Sequence, residues 1–139
     1  MYAVAGRIHD IGRLVILLAS NNLTASLMGN NLDSLLSITQ EEKAVIGMNH
    51  CDIGCQICLN WSFSPILCEG VLRHHTPVIK EDVSIPGAVI FLAHFVSVSD
   101  FTGKILEKMA PLNEMAHGIG LASDDFEYAK HRYSELSAK

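Results

Sequence analysis

Across the first 22 positions, MYAVAGRIHDIGRLVILLASNN, apolar residues recur at 4, 8, 11, 14, 15 and 18. That spacing predicts one helix, closed by the polar pair Asn21-Asn22. LTASLMGNNLDSLL then reads as a short helix broken by Gly and Asn after Met28. In SITQEEKAVIG, Thr39-x-x-Glu42 has the form of a capping box and Gly47 that of a C-terminal stop. Ile53, Ile57 and Trp61 return every four residues through NHCDIGCQICLNWS, again a helical period.

SPILCEGVLRHH opens with Ser64 as N-cap and Pro65 in the first turn, and closes at His75 before Thr76-Pro77. SIPGAVIFLAHFVSVSDFTG repeats that opening; its Ile, Val and Phe would also suit a buried strand, but its length decides for helix. Two more helices are expected near 104–117 and 123–136, the second capped by Ser123 and rich in charge. No Asn-Gly or Asp-Gly hairpin turn, repeat or low-complexity linker interrupts the series. The prediction is an all-α fold of roughly seven helices, residues 1–139 forming a single domain.

Composition sharpens this. Hydrophobic residues make up 49% of the 139 and charged ones 18%, so a core can be buried and the chain is not of the disordered type. The net charge is −5 with no Lys/Arg-rich run, which argues against nucleic acid or an anionic membrane as partner. RLVILLA falls well short of the roughly 20 residues of a membrane span, and no signal-peptide pattern opens the chain. A cytoplasmic location with reduced thiols is the expectation for Cys51, Cys55, Cys58 and Cys68. Met1 stands directly against the first helical pattern without a cap, which suggests a part of a longer chain.

The chemistry lies in the histidines. Of seven, His117 and His131 sit in the polar tail and should face water, while His9, His50, His74, His75 and His94 fall in or at the ends of apolar segments. A lone histidine on an apolar face is ordinarily a satisfied core residue. Five of them on separate helices, with Asp10 adjoining His9, fit metal binding better: imidazole and carboxylate suit zinc, manganese and iron, and a carboxylate can bridge two ions. Neighbouring helical residues point about 100° apart, so a His-Asp or His-His step can address one ion or two adjacent ones.

The ordered series HDIG at 9–12, NHCDIGCQICLNWSFSPILCEGVLRHHTP at 49–77 and VIFLAHF at 89–95 resembles the HDOD family. This is a regulatory branch of the HD metal-dependent phosphohydrolase superfamily, related to the HD-GYP phosphodiesterases. The resemblance implies a compact multi-helix HD-like bundle lacking the N-terminal helices of the full domain. It gives His9 and Asp10 the role of metal ligands, with Asp10 bridging, and brings His50, His74 and His75 to a second ion. Arg13 falls where the phosphodiesterases carry a phosphate-touching lysine.

There are departures. The superfamily's first ligand histidine would lie upstream of this chain. The late aspartate ligand is replaced, Ala93-His94 standing where the family has Ala-Asp, and the GYP segment after the paired histidines is missing. The resemblance therefore implies a non-catalytic bacterial signalling domain that binds a partner protein or a small phosphorylated ligand. The alternative is a phosphohydrolase with a degenerate site, His94 replacing the carboxylate. One or two divalent ions (Fe, Mn, Zn, Ni or Mg) are implied in the second case, and a metal-free scaffold is compatible with the first. Signalling proteins or further domains of a longer chain are the implied partners.

Cys51-x-x-x-Cys55-x-x-Cys58 has the spacing of a radical-SAM iron–sulfur motif, but the three positions share one helix face, where small thiols pack well. Trp61 is expected as a core or interhelix anchor, and DDFEYAKHRYSEL as an amphipathic terminal helix. The apolar face of residues 3 to 18 needs cover, and a homodimer is the simplest way to supply it.

Overall fold

The computed structural model describes residues 2–19, 32–79, 82–97 and 119–137. Its helices are α1 (Tyr2–Ile8), α2 (Ile11–Ala19), α3 (Leu32–Ile46), α4 (His50–Asn60), α5 (Pro65–Arg73), α6 (Ile85–Ser97) and α7 (Ser123–Ser137). Helix α4 is central and packs on α2, α3 and α5; α5 and α1 pack on α6, and α7 lies against α6. The all-α expectation stands. The expected helix at 104–117, the Gly/Asn break after Met28 and His117 lie outside the described residues.

Two helix assignments are corrected. The first helix is not continuous: it is interrupted at His9-Asp10, and the Arg13 amide donates to the Asp10 carbonyl at 2.9 Å as α2 begins. The apolar period runs through this one-turn break and conceals it. Thr39 is not a cap, because α3 already starts at Leu32 and Thr39 is buried within it. Gly47 does end α3, with φ of +80° and its amide bonded to the Lys43 carbonyl.

The caps that matter lie elsewhere. Asn49 accepts from the Asp52 amide and Asp52 from the Asn49 amide, a reciprocal box that fixes the start of α4 at His50. Ser64 holds the cap position of α5 without a side-chain bond, whereas Ser84 Oγ accepts from the Gly87 amide and starts α6. Between α5 and α6 a two-residue antiparallel ladder, β1 (Val78–Ile79) with β2 (Asp82–Val83), is a detail the turn signals did not announce.

Glycines let α2 and α4 touch. A Cβ on Gly12 would collide with the His50 carbonyl, and one on Gly54 would come within 2.9 Å of Val71 Cγ1. The backbone of α2 thus rests directly on the first turn of α4, beside the histidine that opens it. The core on one side of α4 joins Ala5, Cys55, Cys58, Leu67, Cys68, Val71 and Ile90; a smaller one joins Ile16 and Ile38. Trp61 is not in either. It is 59% exposed at the end of α4, edge-on to Phe63, and Ser62 beyond it takes a φ of +56°. No helix among the described residues is long and apolar enough to cross a membrane.

Candidate metal centre

Four separate stretches of chain bring their histidines to one place. His9 and Asp10 stand in the turn between α1 and α2, His50 opens α4, His74 and His75 follow α5, and His94 lies on α6. Their rings form a continuous set, with centroids 4.9 Å apart for His9 and His74, 5.0 Å for His9 and His94, and 4.4 Å for His74 and His75. His131, by contrast, is exposed on α7, as its polar surroundings suggested.

Three of the rings are oriented from their outer nitrogen. His9 Nδ1 bonds the Gly6 carbonyl at 2.7 Å and His74 Nδ1 the Val71 carbonyl at 2.7 Å. His50 Nδ1 meets Glu42 Oε2 at 2.6 Å, and the same oxygen accepts the His50 amide at 2.8 Å. A carbonyl only accepts, so Nδ1 carries the proton in His9 and His74, and the carboxylate makes the same demand of His50. Each Nε2 is then a bare lone pair facing Asp10: Oδ1 is 3.4 Å from that of His50 and 3.5 Å from that of His74, and Oδ2 is 3.5 Å from that of His9.

Two acceptors aimed at each other repel. His50 Nε2 and His74 Nε2 nevertheless approach to 3.2 Å, both fully buried. Two nitrogens bound to one ion at about 2.1 Å and at angles between a right angle and the tetrahedral value lie about 3.0–3.4 Å apart. In addition, His9 Nε2, Asp10 Oδ1 and His94 Nδ1 are buried without a hydrogen bond among the described residues. Such atoms call for a partner. The donor set fits a cation: Asp10, His50, His74 and His75 offer ligand atoms all within 4.8 Å of one another, as do His9, Asp10 and His94. Asp10 belongs to both groups.

Electrostatics agree with ligands held ready. Burial pushes the Asp10 carboxyl up, but the Arg13 guanidinium beside it is among the groups that outweigh burial and keep Asp10 ionised well below the usual carboxylate range. Burial, followed by neighbouring histidines, lowers His75 to about 2 and His94 to about 4; burial likewise lowers His9 and His74. Neutral imidazoles around one carboxylate are the protonation state that metal coordination needs.

The HDOD domain model matches residues 1–77. The chain belongs to the HDOD family. No curated protein and no solved structure matches it. The matched part of this HDOD domain holds His9, Asp10, Arg13, His50, His74 and His75, and ends ahead of His94. All six sequence-derived ligand candidates meet in the fold, and Arg13 joins them with Nε 3.4 Å from Asp10 Oδ1.

Two residues escaped the sequence reading. Glu42, taken there as a capping residue, is 1% exposed and orients His50. Its signal was a glutamate eight positions before a candidate ligand, at the far end of the preceding helix. Cys51 is the other. Its Sγ lies 3.6 Å from His50 Nε2 and 3.8 and 4.0 Å from the two ring nitrogens of His74. Cys55, Cys58 and Cys68 sit in the apolar core as free thiols, burial holding Cys58 up at about 11, which suits packing and not an iron–sulfur cluster.

Proposed function

We propose that this HDOD domain is a bacterial signalling domain that holds one or two divalent ions at Asp10 and uses them to recognise a small phosphorylated ligand without turning it over. The observation that carries this reading is the sharing of Asp10 by two ligand groups, one with His50, His74 and His75 and one with His9 and His94. Fe, Zn and Ni suit so many imidazoles, and Mn and Mg are poorer matches. A bound ion would supply Lewis-acid attraction for phosphate oxygens.

The chain's own residues do the rest. Glu42 locks the His50 ring with Nε2 facing inward, and the Val71 and Gly6 carbonyls do the same for His74 and His9. Arg13, whose buried Nε has no hydrogen bond among the described residues, can donate to a phosphate oxygen beside Asp10. His94 brings a neutral donor where a carboxylate would bring charge. The positive charge left uncancelled is then available to attract phosphate oxygens.

The test is elemental analysis of purified wild type and Asp10→Ala, with a chromogenic phosphodiester assay on both. Ions in the wild type, absent from Asp10→Ala, with no turnover, are expected. Metal-free wild type, folded and as stable as the variant, would sink the metal reading. Turnover that vanishes in Asp10→Ala would establish the second reading, a phosphodiesterase in which His94 stands in for the carboxylate; the convergence of all six candidate ligands favours it.

We also infer self-association. Helix α2 turns Gly12 and Ile16 inward and leaves Leu14, Val15 and Leu18 exposed, Leu18 at 86%. A second copy of the chain would cover them.

A further inference from the structure

Between the ends of α3 and α5 and the first turn of α4 lies a cavity of about 390 Å³, a size that small-molecule sites commonly have. Helix α3 supplies Thr39 and Lys43, α4 supplies Cys51 and Asp52, and Arg73 and Thr76 come from the end of α5 and the turn after it. Among the described residues its lining includes none of the six candidate metal ligands. Cys51, whose sulfur lies against the rings of His50 and His74, is the wall between cavity and cluster.

The lining suits an anion that carries hydroxyl groups. Thr39 is 9% exposed within α3, and its hydroxyl makes no hydrogen bond among the described residues. A buried hydroxyl without a partner costs free energy, so one that lines a cavity marks a place for a polar atom of a ligand. Lys43 makes no ion pair among the described residues, and Arg73 gives only Nη1 to Asp82, at 3.0 Å, which leaves other donors of its guanidinium. The positive end of α4 adds to these cations. Its His50 and Asp52 amides are taken by Glu42 and Asn49, while the Cys51 amide between them has no partner among the described residues. Asp52 brings the opposite charge: its carboxylate repels a bare phosphate but accepts from a hydroxyl. A ligand that joins a phosphate to a hydroxylated body satisfies both kinds of group.

We propose that this cavity is a second small-molecule site, for a sugar phosphate or a similarly hydroxylated phosphate monoester. Lys43, Arg73 and Thr39 hold the phosphate, and Asp52 takes a hydroxyl. The site goes beyond the reading of the histidine cluster and needs no metal.

The probe is ribose phosphate, esterified at its primary hydroxyl, titrated into chelator-treated full chain and followed by amide nuclear magnetic resonance shifts; inorganic phosphate is titrated alongside. Saturable shifts at Thr39, Cys51 and Thr76 are expected, with the sugar phosphate bound more tightly than the bare ion. Thr39→Val exchanges an unbonded hydroxyl for a methyl and should fold as well as the wild type, yet bind at least about fivefold more weakly. Lys43→Ala, a change on the surface, should do the same. Asp10→Ala should bind as the wild type does, which separates this site from phosphate capture at the histidine cluster. Shifts confined to the α1–α2 turn and lost in Asp10→Ala would overturn the cavity as the site. So would an affinity untouched by both Thr39→Val and Lys43→Ala, or no saturable binding of either probe. The metal reading stands or falls separately, on elemental analysis.

Discussion

Glu42 Oε2 accepts twice from His50, at 2.6 Å from Nδ1 and 2.8 Å from the amide, and so couples the last turns of α3 to the first residue of α4. The carboxylate fixes the tautomer and the direction of one imidazole in the cluster. Glu42→Gln should keep the shape and weaken that hold, lowering metal affinity by about tenfold to a hundredfold, read by chelator competition. Glu42→Ala also strands two buried donors, and should cost about 1–3 kcal/mol in denaturant unfolding of the metal-free protein. Unchanged metal affinity in both variants would mean His50 needs no such orientation.

Gly12→Ala should be among the most damaging small substitutions, because the new methyl would overlap the His50 carbonyl. The two backbones must separate, and overpacking of that kind costs about 1–3 kcal/mol or more. Thermal denaturation of the metal-free protein reads the loss. The same variant should bind metal more weakly, since His50 moves away from Asp10. Gly6→Ala, where a Cβ meets open space, should do neither.

The metal-free protein should lose stability in mild acid. Burial first, then neighbouring histidines, holds folded His75 at about 2 and His94 at about 4, against an ordinary 6.5 that the unfolded chain recovers. Below that value the unfolded chain binds more protons than the folded one, so stability falls as pH drops from 6.5 toward 4 and is insensitive to these groups above it. Urea midpoints of chelator-treated protein, compared at about pH 7 and about pH 5, should differ with the acid midpoint lower. Equal midpoints would place the two imidazoles in contact with water.

All four thiols are free and buried, and burial raises those of Cys51, Cys55 and Cys58 above the ordinary cysteine value. A thiol reagent should therefore react slowly with the native protein and with four groups per chain once it is unfolded. Fewer than four in the unfolded, unreduced protein would reveal a disulfide.

Self-association through α2 predicts a dimer mass by light scattering, and a monomer mass for Leu18→Glu with its helical circular dichroism intact. Leu18 is 86% exposed, so a charge there costs the folded monomer little. A monomeric wild type would remove the dimer from the picture.

Much of this centre could be read before any coordinates. His9-Asp10, His50, His74-His75 and His94 each mark a distinct apolar segment, and shared chemistry across segments predicts convergence. What could not be read depended on direction. The break at His9-Asp10 lies within a helical period that continues on either side of it. Glu42 fits a local capping pattern because its real partner, His50, belongs to the next helix. Trp61 suits a core by composition, yet the phase of α4 at its last turn leaves it 59% exposed. Cys51 differs from Cys55 and Cys58 only in standing one residue after a candidate ligand, while sequence spacing puts all three on one helix face.

The meeting of distant chain segments at Asp10 has a further consequence. His50 and His74 alone are 24 positions apart, and two ions sharing Asp10, one held with His50 and His74 and one with His9 and His94, would fasten the α1–α2 turn to α4, α5 and α6. Such an ion is a reversible staple. It engages only the native chain, so at a free concentration a hundred times its dissociation constant it adds about 2.7 kcal/mol to the folding equilibrium. Depletion of such metal would then loosen four elements together.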